Sequence, residues 1–539
     1  MATILETIDA PSGVTTPYVL GAGDQFFGTM LQNGSDWVAV TLVAGRSYCF
    51  GAVGLGVTDP FLRLYGPSGA MLTQDDDGGP GFSAQIRHTA TVSGLVYLEA
   101  RALAGSGGYG LVVAEGNLPS YDDGMAAAIL AREGDVWAPD TGGTIALTWG
   151  VRAAGSALDA TGASAPFVAL TTAQIAATRA ALANYAEVGG VRFQQVAEGG
   201  TTTAATLLLG GYSSATDGVG AYAYAPGSRV AADTAGDVWI NAHWVSGTSL
   251  PMGSYGQFIL LHELGHALGL AHPSDYEAVP GGSVTYAGAA QYLQDSQQYT
   301  VMSYFPAMAT EGAAPVTYPD TLMMHDILAF QHLYGANTAT RAGNDVYGFG
   351  GVLGGAFDFT VNRDPLLCIW DGGGRDTLNL SGFGGAQGID LNDGAFSDVG
   401  GFRGNLSIAV GVVIENAVGG AGTDRLQGNA AANWLRGGAS ADQIAGGRGH
   451  DVLAGNLGAD RFIFGLGDGR DRIADYGVGR DRLQLSSDLW GGAVMTADAV
   501  LAEFGLIRRG VVVLDFGLDE VTLTGHAQLA GLAESLSTI

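Results

Sequence analysis

Lysine is absent from this chain: all 23 basic residues are arginine, set against 52 aspartates and glutamates, for a net charge of −29. A surface so short of cations excludes nucleic acid as a partner. Cysteine is nearly absent too. Cys49 and Cys368 lie far apart in sequence, so no disulfide is expected. No apolar run reaches 18 residues, which excludes a helical membrane span. The opening stretch MATILETIDAPSGVTTPYVL has Glu6 and Asp9, and the first basic residue is Arg46, so no classical signal peptide is visible. The expectation is a cytoplasmic protein or one exported by a route that does not read the N-terminus. Charged residues make up only 14 % of the chain while 88 residues are glycine. The acidity is therefore aspartate set among glycines rather than a disordered acidic tail, a composition suited to calcium.

What is present starts with length: 539 residues exceed one ordinary core, so three or more domains are expected. The stretch HELGHALGLAH, residues 262–272, has the spacing of a metal site. Residues four apart share a helix face, so His262 and His266 can aim at one ion. Gly269 can take the left-handed conformation that ends a helix and turns the chain, bringing in His272; Pro273 then suits a segment that has left the helix. Three neutral imidazoles around one Zn²⁺ leave a position open for water, and Glu263 stands where it can take that water's proton. The plainer alternative is a buried helix whose core face is Phe258, Ile259, Leu261, Leu264 and Leu268; a bare HExxH would leave that alternative much stronger than the full H-E-x-x-H-x-x-G-x-x-H does.

Residues 1–117 read as all-β, with alternating segments such as DWVAVTL and FLRLYG, and a small sandwich is expected. Residues 118–340 mix helix and strand: TTAQIAATRAALANYAEV has helical periodicity behind a capping threonine, and AYAYAPG (221–227) reads as a strand before the metal helix. From 419 to 463 five nonapeptides follow without a gap: GGAGTDRLQ, GNAAANWLR, GGASADQIA, GGRGHDVLA and GNLGADRFI. This is G-G-x-G-x-D-x-U-x, in which a glycine turn and an aspartate bind Ca²⁺ and x-U-x forms a short parallel strand. Leu426, Leu435, Ile444, Leu453 and Phe462 are the inward residues. Two nonads make one turn, so Asp424, Asp442 and Asp460 should line one edge and Asn433 and Asp451 the other. Gly420, Gly422, Gly438, Gly447, Gly449 and Gly458 complete the expected calcium set. Ser440 stands where the pattern has glycine and Asn433 where it has aspartate, so the edge of Asn433 and Asp451 should bind more weakly.

About thirty residues beyond His272 comes TVMSY, with Met302 and Tyr304. After the long histidine motif, a turn with a methionine beneath the histidines resembles the second mark of the metzincin peptidases. With His272-Pro273, TVMSY and the nonads, the chain resembles the serralysin subfamily from about 140 to 485, Thr300 replacing the usual serine. The resemblance implies that Tyr304 reaches the zinc at rest and stabilises the oxyanion in turnover. It also implies a first calcium site from CIWDGGGRDTLNLSGF and RAGNDVYGF, with Arg341, Gly343, Asp345, Asp371, Gly373 and Asp376 around the ion; Asp345 departs from the usual threonine. The stretch from Asp59 to Val113 resembles the bacterial pre-peptidase C-terminal domain.

Together these give a multidomain α+β chain: a pre-peptidase-type β-sandwich (1–117), a metzincin-type α/β zinc peptidase domain (118–340), a calcium-binding parallel β-roll (341–485) and a C-terminal β and secretion-signal region (486–539). The implied activity is a secreted zinc metalloendopeptidase with one catalytic Zn²⁺ and several structural Ca²⁺, acting on proteins and peptides. Export by type I secretion machinery and a monomeric state are expected. The alternative is a calcium-binding surface or adhesion protein with a vestigial peptidase fold.

Overall fold

The computed structural model describes residues 2–32, 34–56, 59–132, 134, 136–139, 145–155, 157–196, 205–227, 234–245, 250–276, 284–310 and 317–539. The chain divides into two compact units, Met1–Thr310 with Leu322–Ala336, and Glu311–Thr321 with Asn337–Ile539.

The first unit begins with two five-stranded sheets. One orders its strands Thr3–Leu5, Gln25–Met30, Gly107–Glu115, Ser47–Leu55 and Ala84–Thr89; the other orders Val19–Leu20, Ser35–Leu42, Gly94–Ala104, Asp59–Tyr65 and Met71–Asp75. Alternating residues point inward from both, so Phe26, Val40, Phe50, Leu62, Leu98 and Leu111 share one core between the sheets. A helix, α1 (Asp123–Leu130), follows and packs on the outer face of the first sheet, where Val53 and Val112 meet Met125 and Ile129. Gly110 and Gly51 make that approach possible, because a Cβ would lie 2.3 Å from the Met125 side chain at the one and 2.7 Å from the Tyr121 hydroxyl at the other.

The remainder of this unit is built on a mixed sheet. Val191–Gln195, Ile145–Val151, Leu207–Tyr212 and Asp237–Asn241 pair in parallel, and Ala221–Ala223 closes the edge antiparallel to Asp237–Asn241. Helix α2 (Thr172–Val188) starts from a capping box in which Thr171 and Gln174 satisfy each other's main-chain N–H groups. Helix α3 (Tyr255–Ala267), capped by Ser254, is buried on almost every face. It stops two residues before Gly269, which takes φ +96° and turns the chain back.

In the second unit, short strands of three to six residues stack in parallel. One sheet aligns Leu426, Ile444, Phe462 and Leu483 in register, and another aligns Leu435, Leu453, Ile473 and Leu523; all eight are buried. Each strand is too short to bury a core alone, so the ladder of inward residues is the core. The last residues extend the same sheets: Leu536–Thr538 pairs with Arg482–Leu485, and Glu520–Leu523 with Arg470–Ile473. Both cysteines are free and buried. No helix among the described residues is long and apolar enough to cross a membrane.

Candidate metal centre

Three imidazoles converge at the C-terminal end of α3. His262 and His266 share its inner face, and the turn at Gly269 brings in His272. Their Nε2 atoms stand 3.0 Å (His266 to His272) and 3.3 Å (His272 to His262) apart. Ligand nitrogens about 2.0–2.1 Å from a tetrahedral zinc would be separated by about 3.3 Å, so the donor set fits that ion. The outer nitrogens settle the tautomers. His262 Nδ1 lies 2.8 Å from the Val301 carbonyl and His266 Nδ1 2.8 Å from that of Leu270. A carbonyl only accepts, so both Nδ1 atoms carry hydrogen and both Nε2 lone pairs face the centre. Burial holds His262 down to about 3 and His266 to about 4, and pushes His272 well below its ordinary value, so all three rings are neutral at neutral pH.

Glu263 is 4 % exposed, and burial pushes its carboxyl up to about 8. Beside a dication it would be drawn back toward the ionised form. Glu263 and the three histidines line a cleft of about 610 Å³ together with Tyr304, Tyr276, Arg132 and the edge strand Ala221–Ala223. The Tyr304 ring sits 4.7 Å from His272 and 5.7 Å from His262. Met302 is fully buried under α3, where a Cβ on Gly265 would lie 2.5 Å from its sulfur.

Two buried aspartates that the sequence did not single out brace this site. Asp326 accepts from the Thr300 hydroxyl and from the Val301 N–H at 2.7 Å, fixing the carbonyl that receives His262. Asp295 accepts from Ser274, Tyr276 and Ser303, tying the segment after His272 to the turn that carries Tyr304. Thr300 thus does with its hydroxyl what a serine would do there.

The family model described as Matrixin matches residues 168–299, and that described as Peptidase M10 serralysin C terminal matches 336–494. Metallopeptidase AprA of Pseudomonas marginalis is 40 % identical over 78 % of this chain and 89 % of its own length. The chain belongs to the serralysin family. Serralysin of Proteus mirabilis is 36 % identical over 58 % of this chain and 65 % of its own length. Among solved structures, the pre-peptidase C-terminal domain of a Bacillus anthracis collagenase is 16 % identical, covering 18 % of this chain and 92 % of its own, with a TM-score of 0.16. This serralysin-family chain is a zinc metalloendopeptidase, and the family implies a catalytic zinc.

In the second unit the acidic residues fall into rows. Asp442 Oδ1 accepts from the Asp424 N–H at 2.8 Å and Asp460 Oδ1 from the Asp442 N–H at 2.9 Å; on the other edge Asp451 Oδ1 accepts from the Asn433 N–H at 2.7 Å. Both rows run on past the nonads, to Asp481 beyond Asp460 and to Asp471 beyond Asp451. The second oxygens of Asp442, Asp451, Asp460 and Asp471 are buried with no hydrogen-bond partner among the described residues. An orphaned buried carboxylate oxygen is what a cation would satisfy. Burial accordingly pushes Asp442 and Asp451 up to about 7 and Asp471 to about 8. Asn433 differs: its Oδ1 accepts from Asn429 N–H and its Nδ2 donates to the Glu415 carbonyl, so it is satisfied without an ion.

Of the expected turn glycines, Gly438, Gly447, Gly449 and Gly458 take positive φ, and Ser440 takes φ +74° where the pattern has glycine. Gly420 and Gly422 lie against the neighbouring turn, where a Cβ would meet the Phe383 and Gly385 main chain. Asp345, Asp371 and Asp376 bring carboxylate oxygens within 4.8 Å of one another, and Asp376 Oδ2 is also orphaned. Gly373 donates to Asp371 at 2.7 Å, and a Cβ on Gly374 would strike the Gly343 carbonyl. Arg341 takes φ +47°, and its guanidinium donates to the Trp370 carbonyl.

Proposed function

We propose that this zinc metalloendopeptidase is a secreted enzyme whose C-terminal unit folds on calcium, with His262, His266 and His272 as the zinc ligands and Glu263 as general base. The observation that carries the reading is the convergence of three neutral Nε2 atoms, two of them aimed by main-chain carbonyls at the outer nitrogens. Zinc held there supplies a Lewis acid that polarises the scissile carbonyl and makes water acidic enough to be deprotonated at neutral pH.

Glu263 takes the proton from the attacking water and returns it to the departing amine. Tyr304, ligand at rest and donor in turnover, offers its hydroxyl to the developing oxyanion. The strand Ala221–Ala223 lines the cleft at the sheet edge and, among the described residues, pairs only with Asp237–Asn241, which suits an extended peptide of varied sequence along its free side. Met302 packs beneath the histidines and touches no substrate.

The calcium set comprises Arg341, Gly343, Asp345, Asp371, Gly373 and Asp376 in the first site and the aspartates and turn glycines of the nonads in the rest. Export before the roll is folded, by a type I route, fits a chain that finds enough calcium only outside the cell. The four segments 1–117, 118–340, 341–485 and 486–539 carry sandwich, peptidase, roll and C-terminal β region in this reading. Glu263→Ala tests the centre: zinc content should stay at one per chain while casein cleavage falls by about 10²–10⁴. Retention of a tenth of wild-type turnover would remove Glu263 from the chemistry.

A further inference from the structure

The third histidine is held from outside the peptidase sheet. Ala271, its neighbour, donates its N–H to the carbonyl of Leu130, the last residue of α1, at 2.8 Å. Arg132, just beyond α1, donates from Nη1 to the His272 carbonyl itself and pairs through Nη2 with Asp275 at 3.2 Å. Asp275 in turn accepts from the main-chain N–H of Gly81, at 3.0 and 3.1 Å on its two oxygens. Gly81 belongs to the sandwich, in the turn after the strand Met71–Asp75.

The fit at Gly81 is exclusive. It takes φ +60°, and a Cβ there would lie 2.1 Å from Arg132 Cδ. A second tie runs parallel: Gln85 of the sandwich donates to the Gln291 carbonyl at 2.9 Å, and the Gln291 side chain accepts from the Asp275 N–H at 2.8 Å. The Arg132 side chain is only 16 % exposed, which shelters its bond to the His272 carbonyl, whereas Asp275 is 44 % exposed, so the links from Arg132 and Gly81 to Asp275 act by placement more than by charge.

We infer that the N-terminal sandwich is a permanent part of the metal centre, with Arg132 and Asp275 as positioning residues that fix the His272 loop and Gly81 as the sandwich's grip on them. This rests on His272 being a zinc ligand. His262 and His266 need no such help, since a buried helix carries both. His272 sits on a loop held after the histidine by Asp295, through Ser274 and Tyr276, and at the main chain of Ala271 and His272 by α1 and Arg132. Loss of the grip should therefore loosen one ligand of three, leaving a fold that binds zinc but releases it sooner.

The test uses the full-length, calcium-loaded protein and two variants, Gly81→Val and Arg132→Gln, with Arg132→Lys as the conservative control. Zinc transfer to a colorimetric chelator and the visible spectrum of the cobalt-substituted protein are read without substrate. Gly81→Val and Arg132→Gln should each release zinc at least tenfold faster and shift the cobalt bands, with kcat reduced and KM for a short peptide little changed; Arg132→Lys should lie between them and wild type. Unchanged release and unchanged cobalt bands in both variants would overturn the inference. Arg132→Gln adds no bulk, so it decides the matter should Gly81→Val not fold. Wild type that binds no zinc would instead break the assignment of His272, a separate result.

Discussion

The three histidines of the first unit and the aspartate rows of the second each surround a space that an ion would fill, yet they are hydrogen-bonded in opposite ways. The outer nitrogens of His262 and His266 are committed to carbonyls, and burial keeps all three rings neutral. With no ion, that centre is a cluster of neutral rings held by a packed helix and the anchored loop after it. In the rows, Asp442, Asp451, Asp460 and Asp471 each have one oxygen fixed by a neighbouring N–H and the other buried without a partner among the described residues. Removing an ion there leaves buried charge or forces protonation. In the proposed reading the fold makes the histidine site, whereas a calcium ion would help to make the fold of the roll.

Stripping metal from each region separately is the strongest way to break this contrast. A calcium-selective chelator should abolish hydrogen-exchange protection of amides in 416–485, by at least about 10²-fold, while strands such as Ser35–Leu42 and Gly94–Ala104 keep theirs. Zinc removal should change protection in α3 by less than about tenfold. A roll that stays protected in chelator would make its aspartates stabilisers only, and the contrast would fail.

Next in size is Tyr304→Phe. The ring packing on His272 and Tyr276 survives, and only the hydroxyl is lost. The cost to kcat should be about 2–4 kcal/mol, as for other oxyanion donors. Zinc content and exchange protection should not change, which separates chemistry from construction. An unaltered kcat would make Tyr304 a packing residue.

Asn433→Asp sharpens the comparison inside the roll. Asn433 is satisfied by Asn429 and Glu415 without an ion. The carboxylate would lose the bonds that the Asn433 amide donates to the Glu415 carbonyl and to Asn429 Oδ1, at about 1–2 kcal/mol each in the calcium-free state, and gain a charge for the cation. Calcium titration followed by circular dichroism should show a lower stability without calcium and a midpoint moved several-fold downward. A midpoint that does not move would mean this edge takes no ion through residue 433.

Much of this was legible in the sequence wherever chemistry imposes spacing. Coordination by one helix and one turn fixes His262, His266, Gly269 and His272, and the period of nine fixes the inward ladder from Leu426 to Phe462. Asp471 and Asp481 were not legible, because they lie 20 and 21 residues from their partners Asp451 and Asp460, against 18 for the pairs inside the repeats. A two- or three-residue insertion hides the period while the ladder continues. Asp295 and Asp326 leave no pattern at all, as each is one polar residue whose partners come from elsewhere in the fold. Gly81 is silent for the same reason: what it must avoid is Arg132, far along the chain.

The smallest effect isolates backbone strain from charge. Ser440 holds φ +74° at a turn where its counterpart two nonads later, Gly458, takes φ +151°. A left-handed conformation costs a residue with a Cβ about 1 kcal/mol, which glycine avoids, although glycine also gives the unfolded chain more freedom. Ser440 is exposed, and its hydroxyl donates to the Ala421 carbonyl at 2.9 Å, a contact water can replace. Ser440→Gly should therefore raise the stability of the calcium-loaded roll by less than about 1 kcal/mol, with no change in the number of ions bound. Because serine carries no charge, the same increment should appear at low and high calcium. An increment that grows with calcium would place the turn's geometry, and not only its aspartates, in control of binding.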